Sequence, residues 1–417
     1  MNMTTAVAAA DDMIVCKIDG ALCHSIRVHL KHNHPEWTID RYKEEFPGEP
    51  LLSAFGEAQA RKIRAQKQAE ERRKERMAQF QPSQPWAFEE RYMHEVFGID
   101  TPIVGSAGQP IKINYLTECH PEAEIYLQDI DPDYVFNIDL LKKANIAYEL
   151  NMPFYAWGFH GTGKTTLLEQ TAARTGRPFL RVQHTGNTEE AHIVGQYVVK
   201  TIPVEEEELG ADGVKHRVIK QKAVTEFQPG PLAVAMKYGM VYCADEYDFA
   251  MPSVIALYQP VLEGKALVIK DAPPEWRVTR PHPDFRFVAT GNTNGSGDET
   301  GLYQGTMMQN AASYSRFTIT EEVKYMPKEQ EALVLRSRTG LTKADAMKFV
   351  EVATAIREAF ATGLISMPVS PREIIGAAKL SIIYGDNPKQ GLRLAYTNRC
   401  TRVDQKAVDD VAQRYFG

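Results

Sequence analysis

Residues 158–165 read Gly-Phe-His-Gly-Thr-Gly-Lys-Thr. They satisfy the pattern G-x-x-x-x-G-K-[ST], whose chemistry is phosphate binding. Gly158, Gly161 and Gly163 let the backbone turn tightly, so that N–H groups point inward at phosphate oxygens. Lys164 reaches the β- and γ-phosphates and the Thr165 hydroxyl ligates Mg²⁺. The nucleotide-contacting set expected here is Gly158, His160, Gly161, Thr162, Gly163, Lys164, Thr165 and Thr166. About eighty residues later, Met240-Val241-Tyr242-Cys243-Ala244 runs into Asp245-Glu246. An apolar strand ending in two carboxylates fits the second nucleotide motif. Asp245 holds the Mg²⁺ shell, and Glu246 polarises a water for in-line attack on the γ-phosphate. The glutamate favours hydrolysis over phosphoryl transfer to another substrate. The run Phe285 to Asn294 then brings Asn292 to a strand tip, where a polar side chain can help position the attacking water. Arg316 and Arg372 stand at later element boundaries as candidate phosphate-charge stabilisers.

These residues need elements to hold them. Phe154-Tyr155-Ala156-Trp157 is a short apolar run of strand character, and Thr165 to Arg174 is helical in composition, stopping near Gly176. Strand, loop and helix in that order put phosphate on a helix N-terminus, where unpaired N–H groups and the dipole favour anions. Asp139 to Glu149 reads as a helix. Strand-like runs follow at Pro178–Val182, Pro231–Tyr238, Met240–Ala244 and Phe285–Thr290. Strands alternating with helices predict an α/β fold, a parallel sheet with helices on both faces. Residues 327–417 are helical in pattern, a lid over the core. Between Val194 and Phe227, Tyr197–Thr201 and Val214–Ile219 flank an acidic run, Glu205 to Glu208, and a Gly210-Ala211-Asp212-Gly213 turn. That pattern predicts a hairpin.

The 417 residues carry 43% hydrophobic and 24% charged side chains, with a formal charge of −6. This is enough chain for two to three domains, and no global basic charge announces nucleic acid. The start of the chain, with Asp11 and Asp12, lacks the basic region of a secretory signal. Five scattered cysteines argue against a disulfide framework. The expectation is a cytoplasmic protein.

Four parts follow along the chain: 1–55, a small N-terminal unit; 56–85, a charged helix and linker; 86–326, the α/β core; 327–417, the helical lid. The stretch from Glu57 to Arg76 reads as a solvated helix or linker, and Gln79 to Pro85 as an extended breaker. In the first part, Cys16, Asp19, Cys23, His24, His29, His32 and His34 cluster. Cys16, Asp19, His29 and His34 have the spacing of a small zinc site, with Asp19 where a second cysteine usually stands, and a zinc-free mini-domain of the same shape is the other reading.

From about Phe97 to the end, the chain resembles AAA+ ATPases of the MoxR type, most closely the CobS-type ATPase subunits of aerobic cobaltochelatase. The stretches that carry the resemblance are Phe97–Asp100, the phosphate loop, Glu226–Leu232 (EFQPGPL) and Asp245–Asp248 (DEYD). Arg280–Thr293 and Gly297–Thr306 (GDETGLYQGT) extend it. The resemblance implies Asn292 as sensor 1, Arg316 as an arginine finger acting in trans, and Arg372 as sensor 2. Ser315 stands where the family usually has aspartate. It also implies a hexameric ring that uses ATP and Mg²⁺. The implied partners are a von Willebrand A-type protein of the CobT kind and a large chelatase subunit that inserts cobalt into a corrin ring. The insert between Val194 and Phe227 falls where the family carries a helix-2 insert. A MoxR-like chaperone with another client is the alternative. The N-terminal unit resembles Ros/MucR-type zinc fingers, which keeps a nucleic-acid-associated ATPase as a third reading.

Overall fold

The structure is a computed structural model that describes residues 12–79, 85–209 and 215–417. They form two compact units, Met1–Phe80 and Gln81–Gly417. The expected Gly210–Gly213 turn and most of the Gln79–Pro85 breaker lie outside the described residues, as do the side chains of Glu205 to Glu208.

In the first unit, β1 (Ile14–Val15) pairs antiparallel with β2 (Leu22–Cys23). The helix α1 (Ile26–Asn33) follows, capped by the Ser25 hydroxyl, which accepts from the Val28 amide. Next comes α2 (Ile39–Glu45), capped in the same way by Thr38. Cys16, Ile26, Leu30 and Tyr42 make the buried core of this unit. The charged run forms α3 (Ala54–Gln79), whose described side chains are mostly exposed.

The second unit begins with an antiparallel pair, β3 (Ala87–Tyr92) and β4 (Lys112–Glu118). Then α4 (Ile138–Glu149) leads into β5 (Phe154–Trp157), the phosphate loop and α5 (Lys164–Arg174). β6 (Phe179–Gln183) precedes a long antiparallel hairpin of β7 (Gly195–Leu209) and β8 (Lys215–Pro229). The short helix α6 (Pro231–Lys237) and β9 (Val241–Asp245) follow, then β10 (Arg286–Gly291) and β11 (Ile319–Glu322). The sheet order is β11-β5-β10-β9-β6, with every pairing parallel. β9 and β10 are buried at every position, as expected of parallel strands covered on both faces. Tyr148 and Leu168 from the flanking helices pack on Phe154, Val241 and Val288 of the sheet.

The expectation of a strand over Pro231–Tyr238 fails, because this segment is α6. Gly230 caps it, Pro231 opens it, and Leu232, Ala233, Ala235 and Met236 bury one helical face. Proline at the first helical position and two alanines favour a helix where apolar content alone is ambiguous. The hairpin strands run 15 residues each, well beyond the short runs expected.

Five helices close the chain: α7 (Lys328–Thr339), α8 (Lys343–Ala361), α9 (Pro371–Ile383), α10 (Pro388–Ala395) and α11 (Arg402–Phe416). They share a core around Phe349, Ile356, Ile374 and Tyr396. Among the described residues, no helix is long and apolar enough to cross a membrane.

Candidate nucleotide site

Gly163 caps α5 with φ 87°, a left-handed conformation that glycine adopts without cost. A Cβ at Gly161, φ 73°, would lie 2.6 Å from the Cβ of Ser370 at the start of α9. At Gly161 the loop therefore has room for backbone only, and the chain runs on into the N-terminus of an 11-residue helix, where unpaired amides favour anions. Thr162 braces the turn by donating its hydroxyl to the Phe159 carbonyl at 2.9 Å. Thr166 is exposed just inside the helix. His160 is half-buried, and burial holds its imidazole below the usual range. Its amide donates to the Tyr303 hydroxyl at 3.0 Å. A cavity of about 130 Å³ opens beside the loop between Trp157, Phe159, Asn292 and Tyr303.

The Lys164 ammonium folds back over the loop, donating to the Gly158 and Phe159 carbonyls and, at 3.2 Å, to Asn292 Oδ1. Burial pushes it down to about 8, although Asp248, Asp245 and Glu246 pull the other way. A buried cation with carbonyl partners is ready for a polyanion.

Thr165 Oγ1 donates to Asp245 Oδ1 at 2.7 Å. A threonine hydroxyl beside a carboxylate is a hard oxygen set, and it fits Mg²⁺. Oδ1 also accepts from Thr290 Oγ1. Oδ2 takes Nε of Arg181 at 2.8 Å and its Nη2. Glu246 follows with φ 53°, a left-handed conformation rare outside glycine. Its amide donates to Thr290 Oγ1 at 3.3 Å, and its Oε2 accepts from Gln183 Nε2 at 3.0 Å. β6 and β9 pair in a register that puts Gln183 beside Asp245.

Asn292 leaves the tip of β10 through a turn built on Asp248. One oxygen of that buried carboxylate accepts the Asn292 amide at 2.9 Å, the Thr293 amide at 2.8 Å and the Thr293 hydroxyl at 2.9 Å. Burial nonetheless raises the Asp248 pKa. The Thr293 carbonyl accepts from Tyr155 Oη at 2.6 Å, and Tyr155 Oη in turn accepts from Tyr314 at 3.0 Å.

The expected site residues thus divide. Lys164, Thr165, Asp245, Glu246 and Asn292 converge. Arg372 is exposed on the first turn of α9, and its charge lowers the Lys164 and His160 pKa values. The Ser370 and Glu373 capping box fixes that turn. Arg316 instead bonds Glu263, 2.8 Å from Nε, and the Ala312 carbonyl within its own chain. Reasoning from the sequence missed Arg181, Gln183, Asp248, Thr290 and Tyr303 as partners of these residues. Asp248, Thr290 and Tyr303 lay inside stretches that carried the resemblance, whereas nothing in the sequence marked Arg181 or Gln183.

Residues 157–317 match the AAA domain of the dynein-related subfamily, and residues 331–414 match the CbbQ/NirQ/NorQ C-terminal family. The chain is 34% identical over 333 residues to the aerobic cobaltochelatase subunit CobS of Sinorhizobium sp, covering 78% of this chain and 90% of that one. It is 25% identical to the protein CbbQ of Hydrogenophilus thermoluteolus, over 61% and 84% of the two chains. The gas vesicle ATPase GvpN of Ancylobacter aquaticus is 25% identical, over 52% and 58%. With a phosphate loop on a five-stranded parallel sheet, an Asp-Glu strand end beside it and a helical C-terminal region, the chain belongs to the MoxR-type AAA+ ATPases and hydrolyses ATP.

Proposed function

We propose that this ATPase works as a cytoplasmic ring, a hexamer, and drives cobalt insertion into a corrin ring. In this reading residues 86–326 are the catalytic core and 327–417 the lid. The observation that carries the catalytic part is the contact of Thr165 with Asp245, next to Glu246 and Asn292. Mg²⁺ supplies charge neutralisation on the phosphates when bound. Thr165 and Asp245 would hold it, and Lys164 would take the β/γ-phosphate charge. Glu246, aimed by its left-handed backbone and Gln183, accepts a proton from the attacking water. Asn292, fixed through Asp248, orients that water. Arg316 acts on the neighbouring subunit's nucleotide, and Arg372 senses the phosphates from the lid.

The 34% identity spanning 90% of the Sinorhizobium cobaltochelatase subunit supports the pathway, with a large chelatase subunit and a von Willebrand A-type partner. Cobalt insertion by such purified partners, with this chain or with its Glu246→Gln variant, tests it. Insertion that proceeds equally without this chain refutes the pathway and leaves a MoxR-like chaperone for another client.

For the N-terminal unit we propose a zinc site at Cys16, Asp19, His29 and His34. Asp19 Oδ2 meets Nε2 of His29 at 2.8 Å and Nε2 of His34 at 3.0 Å. Ligand atoms of Cys16, Asp19 and His29 lie within 4.8 Å of one another. A thiolate, two imidazoles and a carboxylate suit four-coordinate zinc. Metal analysis of the full chain tests this, and a folded, metal-free first unit refutes it.

A further inference from the structure

Asp245 is 3% exposed at its side chain, and every acceptor site it offers is taken. A carboxylate has about four lone-pair positions. Thr165 and Thr290 fill those of Oδ1, and two N–H groups of Arg181 fill those of Oδ2. Magnesium keeps several of its waters in protein sites, and those waters need acceptors. One of the four donors therefore has to yield before Asp245 can take a metal-bound water. Thr165 can stay, because a hydroxyl that donates to a carboxylate keeps its lone pairs for the metal. Thr290 is 1% exposed and locked in β10. Arg181 differs from both. Its side chain is 47% exposed at the edge strand β6. Its charge also interacts with Glu169 on α5, which gives the guanidinium a second carboxylate to lean toward.

We propose that Arg181 is an exchangeable counter-cation on Asp245. It fixes the carboxylate until Mg-nucleotide arrives, then yields Oδ2 to metal-bound water and turns toward Glu169 and solvent. Arg181 is a positioning residue that sets how much Mg²⁺ the site requires. The inference rests on Asp245 as the acceptor of the metal's water shell.

The test measures binding of a ribose-labelled fluorescent ATP to the full chain, first in EDTA and then across a Mg²⁺ titration. Arg181→Met and Arg181→Gln should bind the label in EDTA within about twofold of wild type, which also reports their folding. Their half-saturating Mg²⁺ should fall by about tenfold or more, because the two charged hydrogen bonds from Arg181 to Oδ2 no longer have to be broken and even one is worth about that factor. Arg181→Lys, which keeps the charge, should remain near wild type. Glu169→Gln, which removes the receiving carboxylate, should raise the Mg²⁺ requirement, and it serves if neither neutral variant folds. Neutral Arg181 variants that need as much Mg²⁺ as wild type, or more, overturn the exchange. Mg²⁺ dependence that survives intact in Asp245→Asn overturns it through its premise, the metal role of Asp245, and is distinguishable on that ground.

Discussion

Replacing Asp248 by alanine should cost both stability and turnover, and the contacts of its carboxylate set the scale. One buried oxygen accepts two backbone amides and one hydroxyl, at 2.8–2.9 Å. Alanine leaves the buried Thr293 amide and the part-buried Asn292 amide unmet, at about 1–3 kcal/mol each with the second toward the lower end. The Thr293 hydroxyl can rotate to another acceptor and adds little. Some of the loss is offset, because burial of the Asp248 charge is itself unfavourable and raises its pKa. The net expectation is about 3 kcal/mol, or a melting temperature lower by about 6–12 °C for a domain of this size. Asparagine keeps a carbonyl oxygen for the amides and removes the buried charge, so Asp248→Asn should lose about 1 kcal/mol or less. Turnover follows from Asn292, whose turn these bonds fix. A misplacement of about 1 Å costs on the order of 10²-fold, while Lys164 and the loop still bind nucleotide. Thermal melts and phosphate release on Asp248→Ala and Asp248→Asn measure both effects. An alanine variant that melts with wild type and hydrolyses ATP at the normal rate would refute the reasoning.

Glu246→Gln should bind ATP with near-normal affinity and release no phosphate, and normal turnover would remove Glu246 from its assignment. Nucleotide affinity should decline as pH rises through about 8, because burial holds the free Lys164 ammonium there and a bound triphosphate favours its charged form. Calorimetry in buffers of different ionisation enthalpy should show proton uptake on binding above that pH, and none would count against the shift. Arg316→Ala should assemble and bind ATP while turnover drops by about 10³-fold, the scale of an arginine finger. Mixing it with Glu246→Gln should restore some activity, whereas near wild-type hydrolysis by Arg316→Ala alone would move the finger to Arg372 or Arg280.

Much of the fold was legible because its central strands are covered on both faces. The runs at Phe154–Trp157 and Val241–Ala244 are apolar throughout, and Phe287–Ala289 forms the apolar centre of Arg286–Gly291; a run of that kind announces itself. The same signal misled at Pro231–Tyr238, where a short apolar run reads alike in strand and helix. There the Gly230-Pro231 start should have decided. The hairpin was underestimated for the opposite reason. Its length rests on fifteen backbone pairings, while Tyr197 and Val199 are exposed, so hydrophobic pattern marks only part of it.

The site was legible as far as it is contiguous. A phosphate loop is one stretch of chain, and each of its residue types follows from what its backbone must do at that position. The groups that aim it come from other strands, at separations that carry no pattern. Gln183 meets Glu246 from 63 residues away, through a register that exists only once β6 lies beside β9. Arg181 reaches Asp245 across the same pair of strands. The backbone of Glu246 shows the point most sharply. An Asp-Glu pair at a strand end announces two carboxylates but nothing of their backbone, yet Glu246 sits in a left-handed conformation that non-glycine residues rarely adopt. Such a residue persists only when its surroundings over-determine it. Here Thr290 holds its amide, Gln183 its carboxylate and the turn at Tyr247–Phe249 its exit. All three contacts exist only once the sheet and the turn have formed, and none is visible in the pair itself.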